Sequence, residues 1–362
     1  MALGTAVVVL AATGGAWWLY RKLDGNITTD TSAAAELERY EKERPAAAVR
    51  GARNILLIGS DSRAGQENGR YGRDKGTQRS DTTILLHLAA RGQSATAVSV
   101  PRDLMVRQPA CRAPDGSTST ARFAQFNLAF ERGGTACTVR TLEKLTGIRV
   151  DHHMVIDFAG FKDMVDAVGG VRVCVDEPID DPEAHLSLRA GGQTLGGEQA
   201  LGYVRARKTL GNGSDTGRMD RQQRFLGALV NKVQSNGVLL NPARLYPVLD
   251  AATRSLTTDP GLDSLKDLYD LSRALRDVPT EKVQFLTVPR KPYSGDRNRD
   301  QLLPKAGALF QRLREDRPVT VVPERAGEGT SRGEEPNGQP RKTRPSVTPT
   351  FAGTNAAAGT CE

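Results

Sequence analysis

Three short stretches of this 362-residue chain combine carboxylates with arginines. Asp61 sits in Gly59-Ser60-Asp61-Ser62-Arg63, Asp81 in Arg79-Ser80-Asp81-Thr82, and Arg102 with Asp103 directly after Val100-Pro101. Each borders an apolar run with strand character, and ligand residues of open α/β sheets gather where strands end. With those strands as neighbours, three carboxylates and three arginines meet at one edge of a sheet. Carboxylates converging beside phosphate-binding groups are how a protein holds Mg²⁺. The plain alternative for any one motif is a turn-capping Asp neutralised by a nearby Arg; three such motifs, each beside a strand, favour a site.

A second basic cluster follows. In Tyr203-Val204-Arg205-Ala206-Arg207, alternation along an extended segment places Arg205 and Arg207 on the same side. In Gly217-Arg218-Met219-Asp220-Arg221-Gln222-Gln223, Arg218 and Gln222 stand four apart at a helix start and project together. Arginines at 218, 221 and 224 oppose the positive end of the helix dipole unless an anion sits there. The chemistry of both clusters is therefore anion binding.

The elements that must position these groups alternate between short apolar runs and helical stripes, the signature of an α/β layered domain. Residues 54–58, 82–88, 95–100, 154–158, 171–175 and 283–288 read as strands. Helices are expected over 138–145, 158–168, 219–234, 245–256 and 262–275, with Phe158, Phe161, Val165 and Val168 on one stripe. The expected fold is a single layered domain with a central mixed β-sheet flanked by helices. It accounts for residues 51–317.

Composition limits what the rest can be. With 38% apolar and 25% charged residues the chain is globular rather than a polytopic membrane protein. The net charge is +8, and 38 of the 50 cations are Arg, whose planar fork matches phosphate oxygens. Residues 2–20 carry no charge, enough for one membrane-spanning helix, with Trp17, Trp18 and Tyr20 as an interfacial belt before Arg21 and Lys22. The expected layout is an anchor over 1–22, an extracytoplasmic stalk over 23–50, and a Pro-, Gly- and Arg-rich disordered tail over 318–362. The four Cys and four His show no zinc-site spacing.

The ordered series G-S-D-S-R (59–63), R-S-D-T (79–82), V-P-R-D (100–103), F-N-x-A-F-x-x-G-G (126–134), the run 151–171, G-E-Q-A-L-G-Y-V-R-A-R (197–207) and G-R-M-D-R-Q-Q (217–223) resembles the LytR-CpsA-Psr family of cell-wall glycopolymer ligases. The resemblance covers about residues 52–317. It implies a single-pass protein of the cytoplasmic membrane with its domain outside. Such an enzyme moves a glycan chain from a polyprenyl-pyrophosphate lipid to a peptidoglycan hydroxyl as a phosphodiester, with Mg²⁺ on the pyrophosphate. Carried over by motif, Asp61 and Asp81 are the metal ligands. Arg79, Arg102, Arg205, Arg207, Arg218 and Gln222 form the pyrophosphate clamp, and Asp103 is the spare carboxylate for deprotonating the acceptor. The helices at 158–168 and 225–233 are expected to wall a groove for the lipid. Hydrolysis of the lipid donor and a non-enzymatic lipid-binding or regulatory role are the alternatives. A nucleic-acid partner is not expected, because the arginines are punctuated by Asp and Gly rather than set along a basic recognition helix. An exported location permits disulfides. Cys111 and Cys137 flank the 125–134 segment and are expected to pair, leaving Cys174 either as a buried thiol or joined to Cys361.

Overall fold

The structure is a computed structural model that describes residues 2–47, 49–60, 80–206, 215–235, 242–323 and 349–359. The chain begins with α1 (Ala2–Asp24), β1 (Thr28–Thr29), α2 (Thr31–Arg39) and the strands β2 (Arg53–Ser60), β3 (Ser80–Leu88) and β4 (Ala95–Ser99). An excursion through β5 (Met105–Gln108), β6 (Cys111–Arg112), β7 (Thr118–Ser119) and β8 (Arg122–Gln125) enters α3 (Leu128–Thr146). Then come β9 (His152–Ile156), α4 (Phe158–Ala167), β10 (Val171–Val175), β11 (Ile179–Asp181), β12 (Leu186–Leu188), β13 (Gly191–Leu195), α5 (Gly197–Arg205), α6 (Asp215–Ser235) and α7 (Pro242–Ser255). The remaining elements are β14 (Leu256–Thr258), α8 (Leu265–Arg276), β15 (Val283–Thr287), β16 (Arg290–Tyr293), β17 (Asp296–Leu302), α9 (Lys305–Arg314), β18 (Thr320–Val322) and β19 (Thr350–Asn355).

Among the described residues nine strands form one sheet in the order β1-β14-β9-β2-β3-β4-β15-β19-β18. It is mixed, as expected: β2 is parallel to β9 and antiparallel to β3, and β4 is antiparallel to β3 and parallel to β15. The middle strands are nearly continuous apolar runs because both faces are covered. Leu56, Leu85 and Val98 pack under α3 and α9, while Ile55, Ile84 and Leu86 pack toward α6 and α8. A third cluster joins α4, α5 and α6 to the small strands that follow α4, around Val165, Val171, Leu195 and Phe225. Residues 171–175 are a strand, but β10 pairs with β13 outside the central sheet. Five apolar or alternating residues do not encode which sheet receives them.

The expected stalk is folded. Residues 28–29 extend the sheet beside β14, and Ala33 and Leu37 of α2 are buried in the cluster that includes α3. Arg44 donates to Glu143, with Nη2 2.8 Å from Oε1, and Glu143, 3% exposed, also accepts from the Val150 amide at 2.9 Å. Such a segment looks like a linker in sequence because its attachment is polar, and the buried partners lie about a hundred residues away.

The expected disordered tail also needs correction. Thr350–Asn355 is a sheet strand, wedged between β15 and β18, with Phe351 fully buried against the core under α9. A single aromatic in a Pro-, Gly- and Thr-rich stretch gives no periodic signal. Residues 324–348 and 360–362 of that expected tail lie outside the described residues.

At the other end, α1 is an unbroken helix whose C-terminal turn docks on the body. Leu23 is buried, Lys22 Nζ lies 3.1 Å from the Tyr246 hydroxyl, and Asp24 Oδ1 accepts from the Leu265 amide at the start of α8. Trp17 and Trp18 are exposed, under the cations of Arg21 and Lys22. Among the described residues no helix is long and apolar enough to cross a membrane.

Cys111 and Cys137 form the expected disulfide, with Cα atoms 5.6 Å apart and a sequence separation of 26. Gly133, where the helical path of α3 is broken, has its missing side chain pointed at the bridge: a Cβ there would lie 2.7 Å from that of Cys137. Cys174 is disulfide-bonded too, and Cys361 lies outside the described residues. Closing a loop of this length is expected to contribute about 3.5 kcal/mol in the chain-entropy description. Denaturant unfolding of the Cys111→Ala/Cys137→Ala protein should show that loss, and a change under about 1 kcal/mol would mean that the bridge is incidental to stability.

Candidate active site

Because β3 runs antiparallel to both neighbours, the end of β2, the start of β3 and the end of β4 fall at one edge. Ser60 pairs with Ser80, and Ser99 pairs with Ile84. Asp81 leaves this edge from β3, and Arg102 and Asp103 leave it from the turn after β4. Asp61 and Arg79 lie outside the described residues, as does Arg207.

The groups interlock. Arg102 Nη1 donates to Asp81 Oδ1 and its Nε to Asp103 Oδ2, both at 3.1 Å. Asp103 Oδ1 accepts from Gln125 Nε2 at 2.5 Å and from Arg299 Nη1 at 3.1 Å. Asp103 thus receives three donors on two oxygens, and it fixes the forks of two arginines. Opposite them, α6 presents Arg218 and Gln222 one turn apart. Gln222 Nε2 bonds the Val204 carbonyl at 3.1 Å and approaches Thr82 Oγ1 at 3.4 Å, tying the helix to α5 and to β3. Arg221 donates to the Ala206 carbonyl, and burial pushes its guanidinium below the usual arginine range. Cations in a partly desolvated position at a helix start gain the most from a bound anion.

The expected extended segment at 203–207 is not one. Residues 197–205 are helix α5, ending at Arg205, whose guanidinium lies 4.6 Å from the centroid of the Phe158 ring. The alternation argument fails there because Gly197 and Gly202 fit where a Cβ would strike Lys162 and Ala184 backbone, so this glycine-spaced helix packs tightly against its neighbours.

Asp81, Arg102, Asp103, Arg205, Arg218 and Gln222 all line one cavity of about 800 Å³. It has two parts. The mouth is polar, and the barrel behind it is walled by Phe158, Phe161 and Met164 of α4, Phe225, Leu226 and Leu229 of α6, and Leu57, Ile84 and Met154 of the sheet. Asp157 starts α4 by accepting from the Gly160 amide at 2.8 Å, so the wall begins where β9 ends. A concave site of this size, apolar with a few convergent polar groups, suits an amphipathic ligand with an anionic head. Sequence reasoning missed Gln125, Asn127 and Arg299 at the mouth. Asn127 lay within a noticed motif, F-N-x-A-F. Arg299 sits in an exposed hairpin and reaches the site only because β17 bridges to Leu104, which nothing local in its sequence announces.

The sequence profile of the LytR_cpsA_psr family matches residues 23–312. In Corynebacterium glutamicum, the "Probable cell wall biosynthesis protein LcpB" is 40% identical over 237 residues, 64% of this chain and 54% of that protein. The "Cell wall biosynthesis protein LcpA" of the same organism is 33% identical over 310 residues, 78% and 58% respectively. The chain therefore spans a little over half the length of these two relatives. A polyisoprenyl-teichoic acid–peptidoglycan teichoic acid transferase, TagU of Enterococcus faecalis, is 32% identical over 64% of this chain and 69% of its own. Among solved structures, the LytR-Csp2A-Psr enzyme from Actinomyces oris superposes with a TM-score of 0.59 at 22% identity, over 75% of this chain and 93% of that one, a likeness of fold.

Proposed function

The chain belongs to the LytR-CpsA-Psr family, and from that premise we propose that it transfers a glycan-phosphate from a polyprenyl-pyrophosphate carrier to a peptidoglycan hydroxyl. The observation that carries the reading is the two-part cavity: arginines at the mouth for a pyrophosphate, and an apolar barrel between α4, α6 and the sheet for a prenyl chain. The printed name of TagU couples a polyisoprenyl-linked polymer with peptidoglycan, in keeping with this donor and acceptor.

In the proposed reaction the acceptor oxygen attacks the phosphorus that carries the glycan. An O–P bond forms, the P–O–P bond to the lipid phosphate breaks, the hydroxyl proton leaves, and polyprenyl phosphate departs. Such a transfer asks for positioning and charge neutralisation rather than a covalent nucleophile. Arg102, Arg205 and Arg218 clamp the pyrophosphate, and Gln222 holds α6 against α5 and β3 beside them. Asp103 holds Arg102 and Arg299, and its Oδ2, with one donor, is the oxygen that can take the hydroxyl proton.

The donor set fits Mg²⁺. Arg102 takes Oδ1 of Asp81, and the second oxygen is what a hard cation would use, together with Asp61. An ion held by one or two carboxylates and substrate phosphate needs no cage of protein side chains. When bound, the ion would neutralise pyrophosphate charge.

The same reading places the domain on the outer face of the cytoplasmic membrane, with α1 as its attachment and the Trp17–Tyr20 segment at the interface. Its ligands are the lipid-linked glycan and peptidoglycan, and nucleic acid has no part in it. The test is to incubate the full chain with a polyprenyl-pyrophosphate glycan, Mg²⁺ and a peptidoglycan oligomer, and to look for the phosphodiester-linked product by mass spectrometry. Glycan-phosphate released to water in the presence of acceptor would instead make the protein a pyrophosphatase.

A further inference from the structure

We propose that the ledge formed by β8 and the β16–β17 hairpin, carrying Phe123 and Tyr293, binds the saccharide chain of the acceptor; this rests on the transfer reading above. Phe123 is 48% exposed, and its ring centroid lies 5.9 Å from that of Tyr293 at an interplanar angle of 57°. The pair joins two hairpins that are separate in sequence. The turn that holds Tyr293 is tight, since a Cβ on Gly295 would fall 2.7 Å from the tyrosine ring. Two aromatic faces held in place at the surface match the C–H faces of pyranose rings, which stack on a π system while their hydroxyls stay in water.

The ledge is continuous with the reacting site. Phe123 and Gln125 point to the same face of β8, about 7 Å apart along the strand. Gln125 bonds Asp103. From the other hairpin, Arg299 bonds the same carboxylate oxygen and lines the cavity. Each hairpin therefore carries an aromatic at the surface and a polar side chain that reaches Asp103. Past Gln125, Asn127 is 5% exposed and lines the cavity, and its Oδ1 is buried without a hydrogen-bond partner among the described residues, an acceptor atom suited to a sugar hydroxyl.

Charge selects the kind of saccharide. Arg107 stands opposite Phe123 across the β5–β8 pair and is exposed, as is Arg297 in the hairpin that carries Tyr293. Asp296 and Asp300 are the acidic side chains of the hairpin, and they are paired with Arg299 and Arg290. A chain bearing carboxylates on its lactyl and peptide groups complements this surface, whereas a neutral glycan does not.

The test uses the full chain with its lipid donor and a concentration series of soluble, uncrosslinked peptidoglycan oligomer. Phe123→Ala and Tyr293→Ala should each raise the acceptor KM roughly tenfold, the cost of truncating one contact that binds well. The effect should fall on acceptor KM rather than on kcat, and Phe123→Tyr should restore it. Arg107→Glu, at the exposed strand position opposite Phe123, should also raise KM and guards against misfolding of the aromatic variants. Unchanged acceptor KM in all three disruptive variants overturns the ledge. If the wild-type chain transfers to no acceptor, the transfer reading fails on its own, and direct titration of the oligomer against wild type and Phe123→Ala still reads the ledge. There, affinity lower by roughly tenfold supports it and equal affinity overturns it. Loss of binding to anionic vesicles with acceptor KM intact would assign the ledge to lipid and overturn the proposal.

Discussion

Replacing Arg218 with alanine is expected to lower single-turnover transfer by on the order of 10² to 10³, about 2.7 to 4 kcal/mol, the loss typical of one preorganised transition-state donor. Arg218→Lys should fall between wild type and alanine, because it keeps the charge and loses the two-pronged fork. The melting temperature should hold. Arg218 is 4% exposed near the start of α6 and lines the same mouth as Arg102 and Arg205, so its removal takes one like charge from that group. Stability should therefore stay within about 1 kcal/mol of wild type. A purely structural arginine predicts the reverse. Measuring melting and transfer on one preparation decides the matter: a large loss of stability with intact turnover per folded molecule would remove Arg218 from the clamp.

The second large effect is on stability alone. Glu143→Ala is expected to cost about 3 kcal/mol, because it takes from the largely buried Arg44 guanidinium its buried carboxylate and leaves only the exposed Glu41 at 3.5 Å. It also strips the Val150 amide of its acceptor. Arg44 keeps two bonds, from Nη2 to the Val150 carbonyl and from Nη1 to Glu41 Oε2 at 3.5 Å, which limit the loss, although Glu41 is itself exposed. Removing both partners as Arg44→Met/Glu143→Leu should recover most of the stability, since an apolar pair of similar volume often matches a buried ion pair. Urea unfolding of the single and double variants checks this. A single-variant loss below about 1 kcal/mol would show that the Arg44–Glu143 pair is not what holds residues 24–50 to the body. Transfer per folded molecule should be unaffected, because α3 packs on Leu56 and Leu85 while the barrel uses Leu57 and Ile84, which alternation turns to the other face.

How far these features could be read in advance depended on whether their cause was local. The strands at 53–60, 80–88, 95–99 and 283–287 were visible because burial on both faces leaves an apolar run in the sequence. The helices that wall the cavity were visible because one face of each is apolar at helical spacing. Six of the expected site residues, Asp81, Arg102, Asp103, Arg205, Arg218 and Gln222, do meet at one mouth. Their convergence follows from antiparallel neighbours, which the motifs at successive strand ends hinted at. Tyr203–Ala206 was misread as extended because a short helix with glycine spacing lacks an apolar stripe long enough to outweigh alternation. Long-range polar attachment was invisible: Arg44 finds Glu143, and Arg299 finds Asp103, across gaps that no local pattern spans.

The position of β19 bears on how the protein is assembled. Residues 350–355 lie between β15 and β18, so the order of strands in space departs from their order along the chain. Until that segment arrives, the flank of β15 facing away from β4 offers unpaired amides and carbonyls beside Val283, Phe285 and Leu286. An apolar strand with an open edge is a template for another chain. Phe351 must also reach its slot beneath α9 before that side of the core is sealed. Non-local pairing of this kind is slow to form relative to helices and hairpins. The single chain thus closes this edge of its sheet only through residues 350–355, and a chain lacking them presents β15 to strands of other molecules.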